Sequence, residues 1–388
     1  MPKKILFCAT VDYHFQAFHI PYLKWFKEQG WEVHVAAKGE LDLPYTDQKF
    51  NIPIERSPFK LKNVKAYHLL KSIINENQYE IIHCHTPLGG VLARLAARQA
   101  RKQRTKVIYT AHGFHFCEGA PRLNWLIYYP IEKLLARSTD CIITINQEDY
   151  QLAKNRDFKA NLIEHVHGVG VDTNYFTAVS ETQKIELKKS FGYQADDFLL
   201  FYAAEFNKNK NQQLLIRSLA LIKDYMPNAK LLLAGEGALQ EKCRKLVSEL
   251  GMEDMVNFLG YRKDIEMLVP MCDIGVGSSF REGLPVNIIE AMACGLPIVA
   301  SKNRGHIELV QENVNGYIVS ANDYGQFARS LLRLYQSNQL RKEMGTASIN
   351  LVSTFSLPQL NIELSAIYRR YMLEEQNETK SEYHRAHI

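Results

Sequence analysis

The sequence predicts an α/β protein made of two doubly wound domains, each a parallel sheet covered by helices on both faces. Three observations point there. The chain has 388 residues, long for one core when a domain takes roughly 100–200 residues. Short apolar runs alternate with amphipathic stretches of helical period, the pattern of βαβ units whose strands are buried on both sides. The alternation pauses at "HVHGVGVDTNYF" and then begins again, as two successive sheets require.

In the first series the strands read "KILFCA" from Lys4, "WEVHVAA" from Trp31, "YEIIHCH" from Tyr79, "KVIYTA" from Lys106 and "DCIITI" from Asp140. Between them lie helical stretches such as "FHIPYLKWFKEQG", which Gly30 closes, and "GGVLARLAARQA". The second series runs "FLLFYAA", "NQQLLIRSLALIKDY", "AKLLLAGEG", "LQEKCRKLVSELG", "VNFLG", "DIGVGSS", "PVNIIEAMACG" and "PIVAS". The expected domains are 1–170 and 171–356, joined near Gly168 to Asp172. A last amphipathic helix, 357–388, is expected to pack back on the first. Doubly wound sheets bind ligands beyond the carboxyl ends of their strands, so two facing sheets would place the site in a cleft between the domains.

Composition narrows the classes. A hydrophobic content of 46% with 23% charged residues is that of a globular protein. The apolar runs are strand-sized, far short of the ~20 residues of a membrane span. "ILFCATV" after Met1-Pro2-Lys3-Lys4 is too short for a signal peptide, and "DYHFQ" stands where small residues would be cleaved, so a cytosolic protein is expected. Seven scattered cysteines without a C-x-x-C pair read as reduced, buried thiols. The net charge of +5 comes from the first 176 residues, which carry 23 Lys and Arg against 17 Asp and Glu. That balance suits an anionic membrane surface or a phosphate-bearing substrate, and equally a plain solvated face.

Some signatures fail. "GEGALQ" at Gly235 has Gln240 where a dinucleotide fingerprint needs its third glycine. His83 and His85 close a strand without a third metal ligand in sight, so no metal is expected.

One stretch carries more. In "DIGVGSSFREGLPVNIIEAMACGLP" a strand runs into a loop and then an amphipathic helix, with Pro285 suited to the first helical position. The amides of Gly283 and Leu284 would then face outward at the positive end of the helix dipole, an anion site. Gly283 lacks a Cβ, which allows close approach to its backbone. Glu282 and Glu290 flank this point, and ionised carboxylates accept hydrogen bonds only. They suit hydroxyl-rich groups on either side of a bound diphosphate, a sugar and a ribose.

"E-G-L-P-x-x-x-x-E-A-M-A-x-G-x-P-I-V-A" resembles the E-x₇-E signature of retaining glycosyltransferases of family 4. The resemblance extends, in the family's order, through "IIHCHTPLGGVLARLAAR", "YTAHGFHF", "VGVDTNYF", "NKNKNQ", "LLLAGEG" and "VNFLGYRKDI". It is closest to the branch that builds capsular and exopolysaccharides and lipid-linked glycans. It implies the GT-B fold, two Rossmann-like domains facing across a cleft, the first for the acceptor and the second for the nucleotide sugar. Carried over by position, Glu290 would hold the ribose, Glu282 the donor sugar, and the Gly283 and Leu284 amides the diphosphate or sugar. Lys210, in "NKNKNQ", matches the diphosphate-binding lysine, with Lys208 beside it. Tyr261 and Arg262 match the loop whose backbone reads the base, and His112 the first-domain histidine that meets the donor sugar. His112, Glu282 and Lys210 are thus the expected catalytic residues. No D-x-D metal motif occurs, so cationic side chains and a helix end would stabilise the leaving diphosphate, and neither a metal nor a cofactor is implied.

Two departures stand out. Glu205 occupies the place of a usual arginine, so it must point away or pair, for instance with Lys208. The glycine-rich turn after the first strand is absent from "ATVDYHFQAF", so Asp12, Tyr13 and His14, together with His115, are expected to shape the acceptor site. The aromatic, basic stretch "NWLIYYPIEKLLA", with "FKLKNVKAYHLLK" and "RQARKQRTK", suits either core packing or an anionic lipid surface. The resemblance implies a polyprenyl-diphosphate-linked acceptor, a UDP-linked donor, N-acetylhexosamine as the sugar moved, a peripheral place at the inner membrane face and no nucleic acid. A UDP-sugar epimerase of the same fold and a non-catalytic nucleotide-binding subunit are the alternatives.

Overall fold

The computed structural model describes residues 2–385, with side chains to residue 372. The chain forms two compact units, Val169–Gln359 and a first unit of residues up to Gly168 together with the last helix from Leu360.

The first unit carries seven strands: β1 (Lys4–Val11), β2 (Glu32–Lys38), β3 (Gln48–Asn51), β4 (Ile81–His85), β5 (Lys106–Ala111), β6 (Cys141–Thr144) and β7 (Leu162–His165). They pair in parallel in the order β3-β2-β1-β4-β5-β6-β7. The second carries β8 (Phe198–Ala203), β9 (Ala229–Ala234), β10 (Val256–Gly260), β11 (Ile274–Gly277), β12 (Ile298–Ser301) and β13 (Gly316–Val319). Their order, β10-β9-β8-β11-β12-β13, repeats the topology of the first six strands, and every pairing is again parallel. The order reverses beside β1 and beside β8, the place where such sheets hold ligands. Both units are thus the doubly wound sheets expected.

The sequence reading misses β3, β7 and β13. All three are edge strands of four residues; β3 and β7 are covered less than a central strand, whereas β13 is mostly buried. "QKFN" and "LIEH" contain no fully buried residue, so neither shows the apolar run of a central strand such as β4, which is buried throughout.

Where a glycine-rich turn was expected to be missing, β1 passes straight into a short helix, Tyr13–Phe18. Asp12 already has helical backbone and its carbonyl accepts the Phe15 amide at 2.9 Å, so no glycine is needed. β4 leads into the helix Pro87–Ala96 through Thr86, whose φ of 61° is a left-handed value for a β-branched residue. The Thr86 hydroxyl, which accepts the Thr10 amide at 3.0 Å, fixes this strained turn beside β1.

Two polar contacts tie distant elements into the first unit. Arg94, fully buried, donates to Glu132 at 2.8 Å and to the Gly90 carbonyl at 2.9 Å, with its guanidinium 3.8 Å from the centre of the Tyr109 ring. The pair joins the helix Pro87–Ala96 to the helix Arg122–Ala136. The last helix, Leu357–Arg385, brings in the buried Tyr368, whose hydroxyl lies 2.8 Å from His83 Nδ1, and Glu363, which accepts the His167 amide at 3.0 Å. All seven cysteines are buried free thiols, as their scatter suggested.

Candidate functional site

In the second unit, the loop after β11 enters the helix Val286–Ala293. Pro285 is the residue before the first helical turn, with extended backbone, and not the first helical residue expected from sequence. The consequence for the amides is the same. No side chain caps the helix, and among the described residues the amides of Gly283, Leu284, Val286 and Asn287 donate to no protein group. Four unsatisfied donors at the positive end of a helix form a ready anion cradle. The turn is held tight from below by Gly305, where a Cβ would lie 2.9 Å from Glu282 Cβ, the Gly283 oxygen and Pro285 Cδ.

Lys210 reaches this turn from the loop after β8. Asn207 Oδ1 accepts the amides of Asn209 and Lys210, each at 3.0 Å. Asn209 Nδ2 donates to the Arg281 carbonyl at 2.8 Å, and the Ser278 hydroxyl to the Lys210 carbonyl at 2.6 Å. The two loops are therefore stitched together by backbone, and Lys210 Nζ meets Glu282 Oε1 at 2.5 Å. Burial opposes the ammonium, but the charge and hydrogen bond of Glu282, with Tyr202 and Glu205, together outweigh it and the Lys210 pKa is raised. Lys208 is exposed. Glu205 is exposed too and accepts from Asn207 Nδ2 at 3.1 Å; its partner is Asn207 and not Lys208, and its charge reaches Lys210, whose ammonium it favours.

The glycines of "GEG" have a structural explanation. A Cβ on Gly235 would sit 2.2 Å from the Ala204 oxygen and one on Gly237 2.5 Å from the Phe206 oxygen. Both let the segment after β9 cross the loop that carries Lys210. Tyr261 is exposed, and the Arg262 guanidinium is taken by Asp264, Nε to Oδ1 at 2.8 Å. That leaves the backbone of this loop, and not the arginine side chain, to contact a ligand.

Glu290 departs from the expectation. It is partly buried, and among the described residues no hydrogen bond or ion pair engages its carboxyl. Desolvation, with a smaller contribution from Glu266, pushes its pKa up to about 8. A carboxyl shifted to about 8 keeps its proton well into the neutral range and can then donate as well as accept; the sequence reading took it as an ionised, acceptor-only carboxylate. A raised folded-state pKa makes stability fall as pH rises from the unfolded value near 4.5 through about 8. Relative to Glu290→Gln, the wild type is expected to lose several degrees of melting temperature between about pH 5 and 8.5, since each unit of the shift is worth about 1.4 kcal/mol. Parallel melting profiles of the two proteins across that range would remove the argument.

Sequence reasoning missed the layer behind this turn. Ser301 and Asn303 donate to the Ser279 carbonyl at 2.6 and 2.9 Å, and Asn303 Oδ1 accepts the His306 amide at 3.0 Å. His306 is buried with Nδ1 2.7 Å from the Ser301 oxygen. Nothing in "SKNRGH" sets these apart from an ordinary strand end.

In the first unit, His112 follows β5 directly, with Nε2 3.3 Å from His85 Nδ1. Around it gather His14, its ring 4.6 Å from that of His112, and the buried His19. Burial lowers all four: His14 to about 4, and His19, His85 and His112 well below the ordinary histidine value. The sequence reading weighed His85 only as a metal pair with His83 and set it aside, and gave His19 no role, because only the fold brings 14–19, 83–85 and 112 together. Asp12, expected at the acceptor site, is buried instead, and its carboxylate accepts Lys49 Nζ at 2.6 Å and the Leu41 amide at 2.8 Å. Tyr13, His14 and His115 do share a space. They line a largely apolar cavity of about 540 Å³ with Phe18, Phe59 and Tyr128.

Comparison with known proteins follows these features along the chain. Residues 183–351 match the family described as glycosyl transferases group 1, and residues 4–146 the glycosyl transferase 4-like family. Over 372 residues the sequence is 50% identical to Bacillus subtilis EpsD, which bears the name of a glycosyltransferase, covering 96% of this chain and 98% of that protein. The chain belongs to this glycosyltransferase family. This glycosyltransferase is also 25% identical, over 79% of its length and 80% of the relative's, to the Escherichia coli UDP-Gal:α-D-GlcNAc-diphosphoundecaprenol α-1,3-galactosyltransferase. Its fold is that of Anabaena HepE, solved in complex with UDP, at a TM-score of 0.78 and 21% identity over 95% of this chain and all of that one. The glycosyltransferase therefore has the GT-B fold, with the Lys210–Glu282 turn in the group 1 region and His112 in the 4-like region.

Proposed function

We propose that this glycosyltransferase moves a sugar from a UDP-sugar, with retention at the anomeric carbon, to a polyprenyl-diphosphate-linked saccharide in exopolysaccharide or capsule assembly. The observation that carries the reading is the uncapped N-terminus of the helix Val286–Ala293 with Lys210 held beside it by Glu282. A diphosphate leaving group gains negative charge in the transition state, and preorganised donors of this kind stabilise it without reorganisation. Val169–Gln359 would be the nucleotide-sugar unit, with Gly283 and Leu284 on the diphosphate or sugar, Glu282 on the sugar, Glu290 on the ribose and the 261–262 backbone on the base. His112 would be the first unit's contact with the donor sugar. UDP as the nucleotide is supported by Anabaena HepE, solved with UDP and with UDP-glucose. N-acetylhexosamine is the sugar proposed.

The acceptor reading rests on the first unit. An apolar cavity of about 540 Å³ beside Tyr13, His14 and His115 suits part of a prenyl chain, and the Escherichia coli relative is named for a diphosphoundecaprenol-linked acceptor. Phe59 and Leu61 are 84% and 86% exposed among Lys60, Lys62 and Lys65, a combination that favours an anionic lipid surface. No helix among the described residues is long and apolar enough to cross a membrane, so the proposed place is peripheral, at the inner face.

The test is nucleotide release by the purified protein with UDP-, GDP- and ADP-sugars, in chelator, with and without membrane lipid extract. UDP release from UDP-N-acetylhexosamine that depends on the extract, with an α-linked product by NMR, is the expected result. Release that needs an added divalent ion, or a change of sugar stereochemistry without any acceptor, would overturn it.

A further inference from the structure

The histidines of the first unit pose a separate question. A neutral imidazole carries one donor and one acceptor, and a buried one ordinarily satisfies both. His83 does so: Nδ1 lies 2.8 Å from the Tyr368 hydroxyl and Nε2 2.8 Å from the Thr110 hydroxyl. Its neighbours do not. His14 and His19 face each other Nε2 to Nε2 at 3.1 Å, and His85 and His112 meet at 3.3 Å. The remaining nitrogens of the two most buried rings, His19 Nδ1 and His85 Nε2, have no hydrogen-bond partner at all, although these residues are 4% and 0% exposed. The nitrogens that face one another, His14 Nε2, His19 Nε2, His85 Nδ1 and His112 Nε2, are the ones an ion could join. The orphans are the other nitrogens of two of these rings and show only that, among the described residues, the cluster lacks the partners a buried histidine ordinarily has.

We propose that His14, His19, His85 and His112 form a binding site for one divalent transition-metal ion of the zinc type. One ligand nitrogen from each lies within 4.8 Å of all the others. A tetrahedral zinc ion about 2.0–2.1 Å from each imidazole nitrogen holds its ligands about 3.3 Å apart. The two closest pairs, 3.1 and 3.3 Å, already have that spacing, so only the pairs must draw together. An all-imidazole set without a carboxylate selects zinc, copper, nickel or cobalt over magnesium, calcium or manganese. The sites of attachment are rigid on one side, since His85 ends β4 and His112 follows β5, and adjustable on the other, where His14 sits on a short helix.

The site is distinct in purpose from the helix end of the second unit, where the diphosphate is proposed to bind without metal. On the reading that His112 contacts the donor sugar, an ion on that nitrogen and a sugar exclude one another. Zinc would then inhibit transfer, and a chelator would relieve the inhibition.

The experiment is titration of the metal-stripped full chain with Zn²⁺ against a chromophoric zinc chelator, and with Co²⁺ by absorption spectroscopy. One equivalent of Zn²⁺ bound in the presence of millimolar Mg²⁺ is expected, with visible tetrahedral Co²⁺ bands and no near-ultraviolet thiolate band. His14→Ala, at the less buried ligand, is expected to weaken binding at least tenfold, while His68→Ala leaves it unchanged. Absence of stoichiometric binding, a thiolate band that places the ion on cysteine, or unchanged affinity in both His14→Ala and His85→Asn would each overturn the proposal. None of these readouts depends on transfer activity, so the donor and acceptor assignments can fail independently.

Discussion

Lys210→Met is expected to lower the turnover of sugar transfer by about 10²–10³-fold, the usual cost of removing one preorganised donor from a developing anion. Two features make this lysine weigh more than a surface cation. It is fixed by the hydrogen bonds of its own loop, so little ordering remains to be done when substrate arrives. Glu205, exposed in the same loop, supplies no second cation, and its charge helps to hold the proton on Lys210. The substitution also strips Glu282 of its partner and leaves a carboxylate, largely buried, beside the proposed diphosphate site. UDP should therefore bind more weakly to Lys210→Met, and the double variant Lys210→Met/Glu282→Gln should recover UDP affinity without recovering transfer. Steady-state nucleotide release and calorimetric UDP titration separate these effects. Equal losses of affinity in the single and double variants would show that repulsion by Glu282 plays no part.

The largest effect on stability is expected from Glu132→Ala. It leaves the Arg94 guanidinium fully buried without its carboxylate, a situation that costs about 3–5 kcal/mol. Arg94 Nη1 already lacks a partner, so the remaining hydrogen bond to Gly90 and the Tyr109 ring are all that would support the charge. Replacing both, as Arg94→Met/Glu132→Leu, removes the charge along with the partner and is expected to return most of the loss. Urea unfolding followed through the transition of the first unit measures both, since two units need not unfold as one. Glu132 also lines the apolar cavity, so the destabilised variant should lose acceptor-dependent activity before it loses UDP binding.

Legibility followed burial. β4, β5, β8, β9, β11 and β12 were plain in the sequence because central parallel strands are apolar on both faces; β10, an edge strand, was read all the same from its run "VNFLG". β3 and β7 were not, since these edge strands carry little apolar surface; β13 was missed although it is mostly buried. At the site, the spacing from Glu282 to Glu290 and the loop before Pro285 were readable because sequence-local geometry makes them, one turn and one helix. The Lys210–Glu282 contact joins positions 72 residues apart and was reachable only through the family resemblance. Charge states were harder still. Glu290 reads as an ordinary carboxylate, and only its surroundings make it a neutral acid. Asp12 looked available beside Tyr13, but Lys49 and the Leu41 amide consume it. The histidine cluster is assembled from three segments, and no spacing announces it.

The helix Val286–Ala293 is proposed to carry the nucleotide, with Glu290 gripping the ribose. Calorimetric titration of UDP into the wild type, Glu290→Gln and Glu290→Ala, at matched circular dichroism, tests it most directly. Loss of hydrogen bonds to both ribose hydroxyls should weaken UDP binding to Glu290→Ala by at least about tenfold, or 1.4 kcal/mol. Glu290→Gln, which keeps a donor and an acceptor, should fall between. UDP affinity unchanged in a folded Glu290→Ala would contradict the account.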